Sequence, residues 1–245
     1  PARVANFQRI GRLAQSSAGS GKGWGGWEVA GGGVVMTRFI HQLDQLIHLL
    51  GEPRRVQAWM DTFKNEIEAE DTCGASIEFA SGAWASTFCT LAGEDAERSD
   101  FEVIAEHLSM RLPWRVSSNN PRHARTARQQ VQRAVPIDKR TTTLAKAIRK
   151  GRLLGGRVAP FLAPPPGPTA HEPFMKAVLD AIDQGQPMPV TAREGRRSLE
   201  LCTAIYTAAL TGRAVDLPLD GDCPYYEGIT TADYDGTQRR QARLE

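Results

Sequence analysis

No run of apolar residues in this 245-residue chain approaches the ~18 needed to cross a bilayer. No basic start followed by an apolar stretch marks secretion either, so a cytoplasmic protein without membrane contact is expected. Cysteine is scarce. Cys73, Cys89, Cys202 and Cys223 lie far apart, with no Cys-x-x-Cys and no histidine at ligand spacing. That excludes a zinc ribbon or a disulfide framework and points to reduced thiols. No Gly-x-Ser-x-Gly elbow and no Cys–His pairing is present, so hydrolase chemistry has no support. Phosphate loops are missing as well. Gly21-Lys22-Gly23-Trp24-Gly25-Gly26 satisfies G-x-G-x-x-G, but small polar residues precede it and a second glycine run follows it. A dinucleotide turn needs a buried strand before and a helix after. A P-loop needs glycine at position 16, which is Ser16.

Acid is almost absent from one stretch. Residues 115–157 carry twelve Lys or Arg and the single acid Asp138, a local +11 within a chain of net charge +2, which leaves −9 for the remainder. Such a block fits a solvated helical excursion across an acidic body, or a surface for a polyanion or partner. No aromatic lies between Trp114 and Phe161, so the stacking platform for single-stranded nucleic acid is lacking and nucleic acid is not the expected partner.

What is present concentrates in residues 31–51, GGGVVMTRFIHQLDQLIHLLG. Three glycines lead into an amphipathic helix over about 34–50 that stops at Gly51. Helical spacing puts Thr37, His41, Asp44 and His48 on a polar stripe, beside an apolar stripe of Ile40, Leu43, Ile47 and Leu50. A hydroxyl and an imidazole one turn apart could bind and deprotonate a substrate alcohol; the same stripe could equally be a solvated face. A metal triad of His41, Asp44 and His48 would need all ligands from one helix and has no fourth, so no metal is expected.

The remaining pattern predicts an α+β fold: a mostly antiparallel open sheet with helices packed on one face, plus a basic helical insertion. Residues 1–26 read as an irregular Gly/Ser-rich lead-in and 27–220 as the main domain. Within it, 114–168 is the insertion and the Pro-rich linker Ala163 to Pro168, and 221–245 is a C-terminal tail. Strands are expected at Val56–Phe63, Thr72–Phe79 and Trp84–Leu91. The latter two form a hairpin through Ser81-Gly82, with one or two more strands in 101–112. Helices are expected at about 171–185 and 192–211. The second opens on the capping box Thr191 to Glu194 and ends at Gly212, before a short strand at Val215–Leu219.

Trp27 to Ala58 resembles the start of the substrate domain of the glucose–fructose oxidoreductase / inositol dehydrogenase (Gfo/Idh/MocA) family. The carriers are Gly31 to Gly33, Thr37 four before His41, His41-x-x-Asp44, and the exit Gly51-Glu52-Pro53. His171 to Leu219 resembles the helices and short strand that close that domain. The resemblance implies the substrate-binding and oligomerisation domain of an NAD- or NADP-dependent dehydrogenase acting on a sugar, cyclitol or related polyol. The cofactor would be held mainly by a dinucleotide-binding domain that is not in these residues, and no lysine here lies in the family's Glu-Lys-Pro. His41 would be the catalytic proton acceptor and Thr37 its neighbour, standing where many relatives have aspartate. Arg38, Asp44 and His171 would contact substrate, and subunits would associate as a homo-oligomer through the open sheet face. A non-catalytic sensor or scaffold of the same fold, using 115–157 as its contact surface, is the alternative.

Overall fold

The computed structural model describes residues 2–11, 25–94, 98–111, 115–134 and 171–245. The glycine-rich pattern ending at Gly26, most of the basic block and the Pro-rich linker therefore lie largely outside the described residues. Compactness divides the chain into one unit of residues 1–124 with 193–245 and a second of residues 125–192.

The first unit is built on an eight-stranded mixed sheet in the order β7-β6-β5-β1-β4-β3-β2-β8. Its strands are β1 (Ala2–Ile10), β2 (Pro53–Asp61), β3 (Thr72–Phe79), β4 (Trp84–Thr90), β5 (Arg98–Ala105), β6 (Ser109–Arg111), β7 (Arg115–Ser117) and β8 (Val215–Asp216). Only the β1–β4 pairing is parallel; the rest are antiparallel. The α+β class and the mostly antiparallel open sheet follow the sequence pattern. The expected hairpin is there in full: Cys73 faces Cys89, Ala75 faces Thr87, and Gly82 turns the corner at φ 79°.

The lead-in needs correcting. Residues 2–10 are not irregular but form β1, in the middle of the sheet. The strand escapes a pattern search because only Ala5 and Phe7 carry its buried side, and both of its partners lie some eighty or more residues away in sequence. Phe7 packs against Phe39 and Phe101, ring centroids 5.6 and 5.2 Å away. The expected tail at 221–245 also belongs to the first unit. Tyr234 is buried, and Trp27 Nε1 donates to its carbonyl at 2.9 Å. Helix α6 (Gly236–Leu244) then follows, with Asp235 accepting from the amides of Thr237 and Gln238 as its cap.

The other helices of this unit are α1 (Trp27–Ala30), a π-turn segment Val35–Phe39 running into α2 (Ile40–Leu50), and α5 (Ala192–Thr211). Helix α2 buries Leu43, Leu46, Ile47 and Leu50, close to the expected stripe; Ile40 is half-buried and Leu46 joins it. α5 buries Leu201, Ile205 and Tyr206 and stops where Gly212 turns left-handed at φ 67°. Helix α3 (Pro121–Ala134) crosses from the first unit into the second, which also holds α4 (His171–Gln184). α4 thus belongs to a different unit from α5, although the sequence reading placed both in one domain. Among the described residues no helix is long and apolar enough to cross a membrane. Three of the cysteines are buried and all four are free thiols.

The position of β1 generates a stability prediction. Phe7→Ala removes a ring packed between two others, and should cost about 3–5 kcal/mol in chemical denaturation. A loss below ~1 kcal/mol would mean that β1 is not part of the core.

Candidate active site

The helix that carries Thr37 and His41 begins against a carboxylate. An α-helix leaves its first backbone N–H groups without partners. Here one residue from a distant segment takes three consecutive ones. Glu70 Oε2 accepts from Gly33 N at 3.0 Å, its main-chain oxygen from Val34 N at 3.1 Å, and its Oε1 from Val35 N at 2.9 Å. Tyr206 of α5 donates its hydroxyl to Oε1 at 3.1 Å. The glycines are explained by this approach. A Cβ on Gly33 would fall 1.7 Å from the Glu70 carbonyl oxygen, and one on Gly32, at φ 148°, would fall 2.2 Å from the Tyr206 hydroxyl.

Glu70 itself is fully buried. Burial raises its pKa from 4.5 to about 7, opposed by the amides of Val35 and Gly33 and by the Tyr206 hydroxyl. The same burial, next to this carboxyl, pushes the Tyr206 hydroxyl and the Cys202 thiol well up, so both keep their protons. Around Glu70 the chain is pinned. Ala69 N donates to Gly25 O at 2.9 Å. The buried Asp71 carboxylate takes the amides of Phe63, Lys64 and Asn65 together with the Thr72 hydroxyl.

From this anchored start the π-turn carries Met36, Thr37 and Arg38 at half-buried positions, and His41 emerges exposed one turn on. π-turns are uncommon and concentrate at functional sites. Thr37 Oγ1 donates to Gly33 O at 2.6 Å. Its proton is committed, so toward a ligand it acts as an acceptor. Gln42 is buried behind this turn, its amide oriented to donate to the Arg38 carbonyl at 2.9 Å and to accept from Arg9 Nη1 of β1 at 3.1 Å. Asp44 turns to the neighbouring helix: its Oδ1 accepts from Ser198 Oγ of α5 at 2.7 Å. His171 is the first residue of α4, exposed and in the second unit.

The first unit thus brings Thr37, Arg38 and His41 onto one short surface, with Asp44 turned to the neighbouring helix. Glu70 and Tyr206 were not legible as site residues; the only signal was the glycine run, which demands a close neighbour without naming it. Among the described residues no group of three or more His, Cys, Asp or Glu stands where it could hold a metal ion.

Residues 6–217 match the sequence profile described as the oxidoreductase family, C-terminal alpha/beta domain. No curated protein matches the chain. Among solved structures, the chain is similar to the WlbA dehydrogenase of Bordetella pertussis in complex with NADH and UDP-GlcNAcA. That pair has 21% identity and a TM-score of 0.63 over 89% of this chain and 56% of that one. It is similar to the Chromobacterium violaceum WlbA dehydrogenase, crystallised with the same two ligands, at 25% identity and TM-score 0.62 over 89% and 55%. It is also similar to a levoglucosan dehydrogenase in complex with NADH, at 15% identity and TM-score 0.59 over 89% and 59%. The chain therefore spans little more than half the length of these proteins.

The buried carboxyl has a pH signature. The folded state holds the Glu70 proton up to about pH 7 and the unfolded chain releases it near 4.5. Its contribution to stability is full below 4.5 and is lost as pH rises through 7. The loss amounts to about 3 kcal/mol, from ~1.4 kcal/mol per unit. The stability of the native chain relative to Glu70→Gln, from urea midpoints at several pH values, should fall by that order between pH 4.5 and 7.5. A flat difference would contradict the burial of an ionisable group there.

Proposed function

Because the chain belongs to the glucose–fructose oxidoreductase / inositol dehydrogenase (Gfo/Idh/MocA) family, as its C-terminal alpha/beta domain, we propose that it is the substrate-binding domain of an NAD- or NADP-dependent dehydrogenase acting on a sugar, cyclitol or related polyol. The observation that carries this reading is the pairing, one turn apart, of an exposed imidazole and a hydroxyl whose own proton is already given away. An imidazole is the side chain best suited to take up a substrate hydroxyl's proton and release it again. Thr37, obliged to accept, suits the adjacent hydroxyl of a diol rather than the one being deprotonated. Two neighbouring acceptors thus match two neighbouring hydroxyls, which is what a polyol offers. Arg38 beside them supplies a guanidinium for a ring oxygen or a carboxylate. Asp44 would act on substrate only indirectly, by docking the helix through Ser198.

The nicotinamide, when bound, supplies the hydride acceptor. The described residues do not fit its phosphates. The natural anion site of this domain, the helix start after Gly31 to Gly33, is already filled by the carboxyl of Glu70. Another domain must hold the diphosphate, and this chain's part is to present the substrate hydroxyl and take its proton.

Homo-oligomerisation through the open sheet face is part of the same proposal. It is supported by Trp59, Trp84, Val4 and Ile104, all on the sheet and each more than two-fifths exposed. Trp59 lies over Gly74, where a Cβ would meet its indole nitrogen at 2.6 Å, and its ring centroid is 6.1 Å from that of Phe88. Such a flat aromatic surface is the kind that interfaces cover.

In the complete enzyme, His41→Ala should lower turnover by roughly 10²- to 10⁴-fold with the fold intact, since the side chain is exposed. Thr37→Ala should act mainly on KM, by several-fold, the worth of one neutral hydrogen bond. The isolated 245 residues should bind neither NAD nor NADP at micromolar concentration by calorimetry. Full turnover in His41→Ala, or tight cofactor binding by the fragment, would overturn the assignment.

A further inference from the structure

A concavity lies at the edge of the sheet, within the first unit and built from residues the proposed reaction does not use. The end of β5, the turn into β6, β7 and the first turn of α3 enclose a cavity of about 660 Å³. His107 reaches it from the β5–β6 turn and His123 from α3, ring centroids 5.4 Å apart and planes inclined by 53°. They lie 16 residues apart in sequence, so neither helical nor strand spacing brings them together. The backbones that carry them are fixed to each other. Ser118 Oγ donates to the His107 carbonyl and accepts from Asn120 N at 3.1 Å. Asn120 in turn caps α3, its Oδ1 accepting from Arg122 N at 2.9 Å and its carbonyl from Ala124 N at 3.1 Å. Across the cavity Ser109 Oγ and Ser117 Oγ bond at 2.7 Å and hold β6 to β7.

The separation of the rings is the informative quantity. An imidazole nitrogen binds zinc at about 2.0–2.1 Å, which puts the ion about 3.2 Å from each ring centroid. At a tetrahedral angle two such rings stand about 5.2 Å apart, close to the distance observed. Stacked imidazoles would lie closer and parallel. An anion is the poorer match, because Asn120 has already filled the helix start. The nearest carboxylate lining the cavity, Glu106, is paired with Arg3 at 3.4 Å.

We propose that His107 and His123 form a two-histidine site for a borderline transition-metal ion, Zn²⁺ or Ni²⁺, with water completing the coordination. Bound there, the ion would staple the start of the basic helix to the sheet edge, independently of the polyol site. Imidazole-only sites select such ions over Mg²⁺ or Ca²⁺.

The untagged chain, titrated with ZnCl2 and with MgCl2 in a non-chelating buffer, tests this by calorimetry. Zinc should bind 1:1 with a micromolar Kd, magnesium should give no saturable heat, and zinc should raise the Tm by several degrees. His107→Ala and His123→Ala should each weaken zinc at least tenfold. The His41→Ala/His48→Ala variant, which clears the imidazoles of α2, should bind as the native chain does. Should the histidine variants fold poorly, Ni²⁺ added to the native chain must broaden the imidazole NMR signals of His107 and His123 before any others. No saturable zinc binding up to about 1 mM, binding kept in the His107→Ala/His123→Ala variant, or binding lost with His41 and His48 would each overturn the proposal.

Discussion

The carboxyl of Glu70 holds the glycine-led start of the helix that bears Thr37 and His41 in place. It is buried without a cation and is surrounded by donors: two amides of the glycine-led helix start and one tyrosine hydroxyl. Each partner would be costly to strand in the interior alone. Together they tie four separate stretches of chain to one point. These are the glycine turn, the segment before β3, helix α5 through Tyr206, and the C-terminal region through Trp27, whose ring meets both Tyr206 and Tyr234 edge-on. Removing the carboxyl leaves three donors facing nothing; enlarging a glycine drives the backbone off it.

This arrangement divides the labour along a single helix. The N-terminal end, where the dipole and free amides would attract an anion, is spent internally. The next turn is widened into a π-turn and turned outward, and it carries Met36, Thr37 and Arg38. The position of that surface is set by buried hydrogen bonds. Thr37, with its proton given to Gly33, belongs to both halves: structural as a donor, available as an acceptor.

How much of this was legible in the sequence depends on the range of the interaction. Local periodicity located α2, α4, α5 and the β3–β4 hairpin, because each element declares its buried face within one window. β1 escapes because a central strand with only two buried side chains, Ala5 and Phe7, reads as irregular until both neighbours are supplied. The C-terminal region reads as a tail for the same reason: Tyr234 is its one large buried side chain, and its attachments, Gly236 N to the Glu68 carbonyl at 2.7 Å and the Tyr234 hydroxyl to Thr62 at 2.9 Å, reach far back along the chain. In the site, Thr37, Arg38 and His41 followed from helix spacing and family resemblance. Helix spacing puts Asp44 on the polar stripe, but its bond to Ser198, 154 residues away in sequence, lies beyond any local pattern. Glu70 could not be found at all from sequence, where it stands in an unremarkable acidic run, Glu66 to Asp71.

The amide NMR signals of Gly33 and Val35 report directly on the carboxyl they are bonded to. Followed from pH 4 to 9, both should move with one shared midpoint near 7, and the movement should vanish in Glu70→Gln. Amides that stay still across that range, or that move in the variant as they do in the native chain, would contradict a buried Glu70 closing the start of this helix.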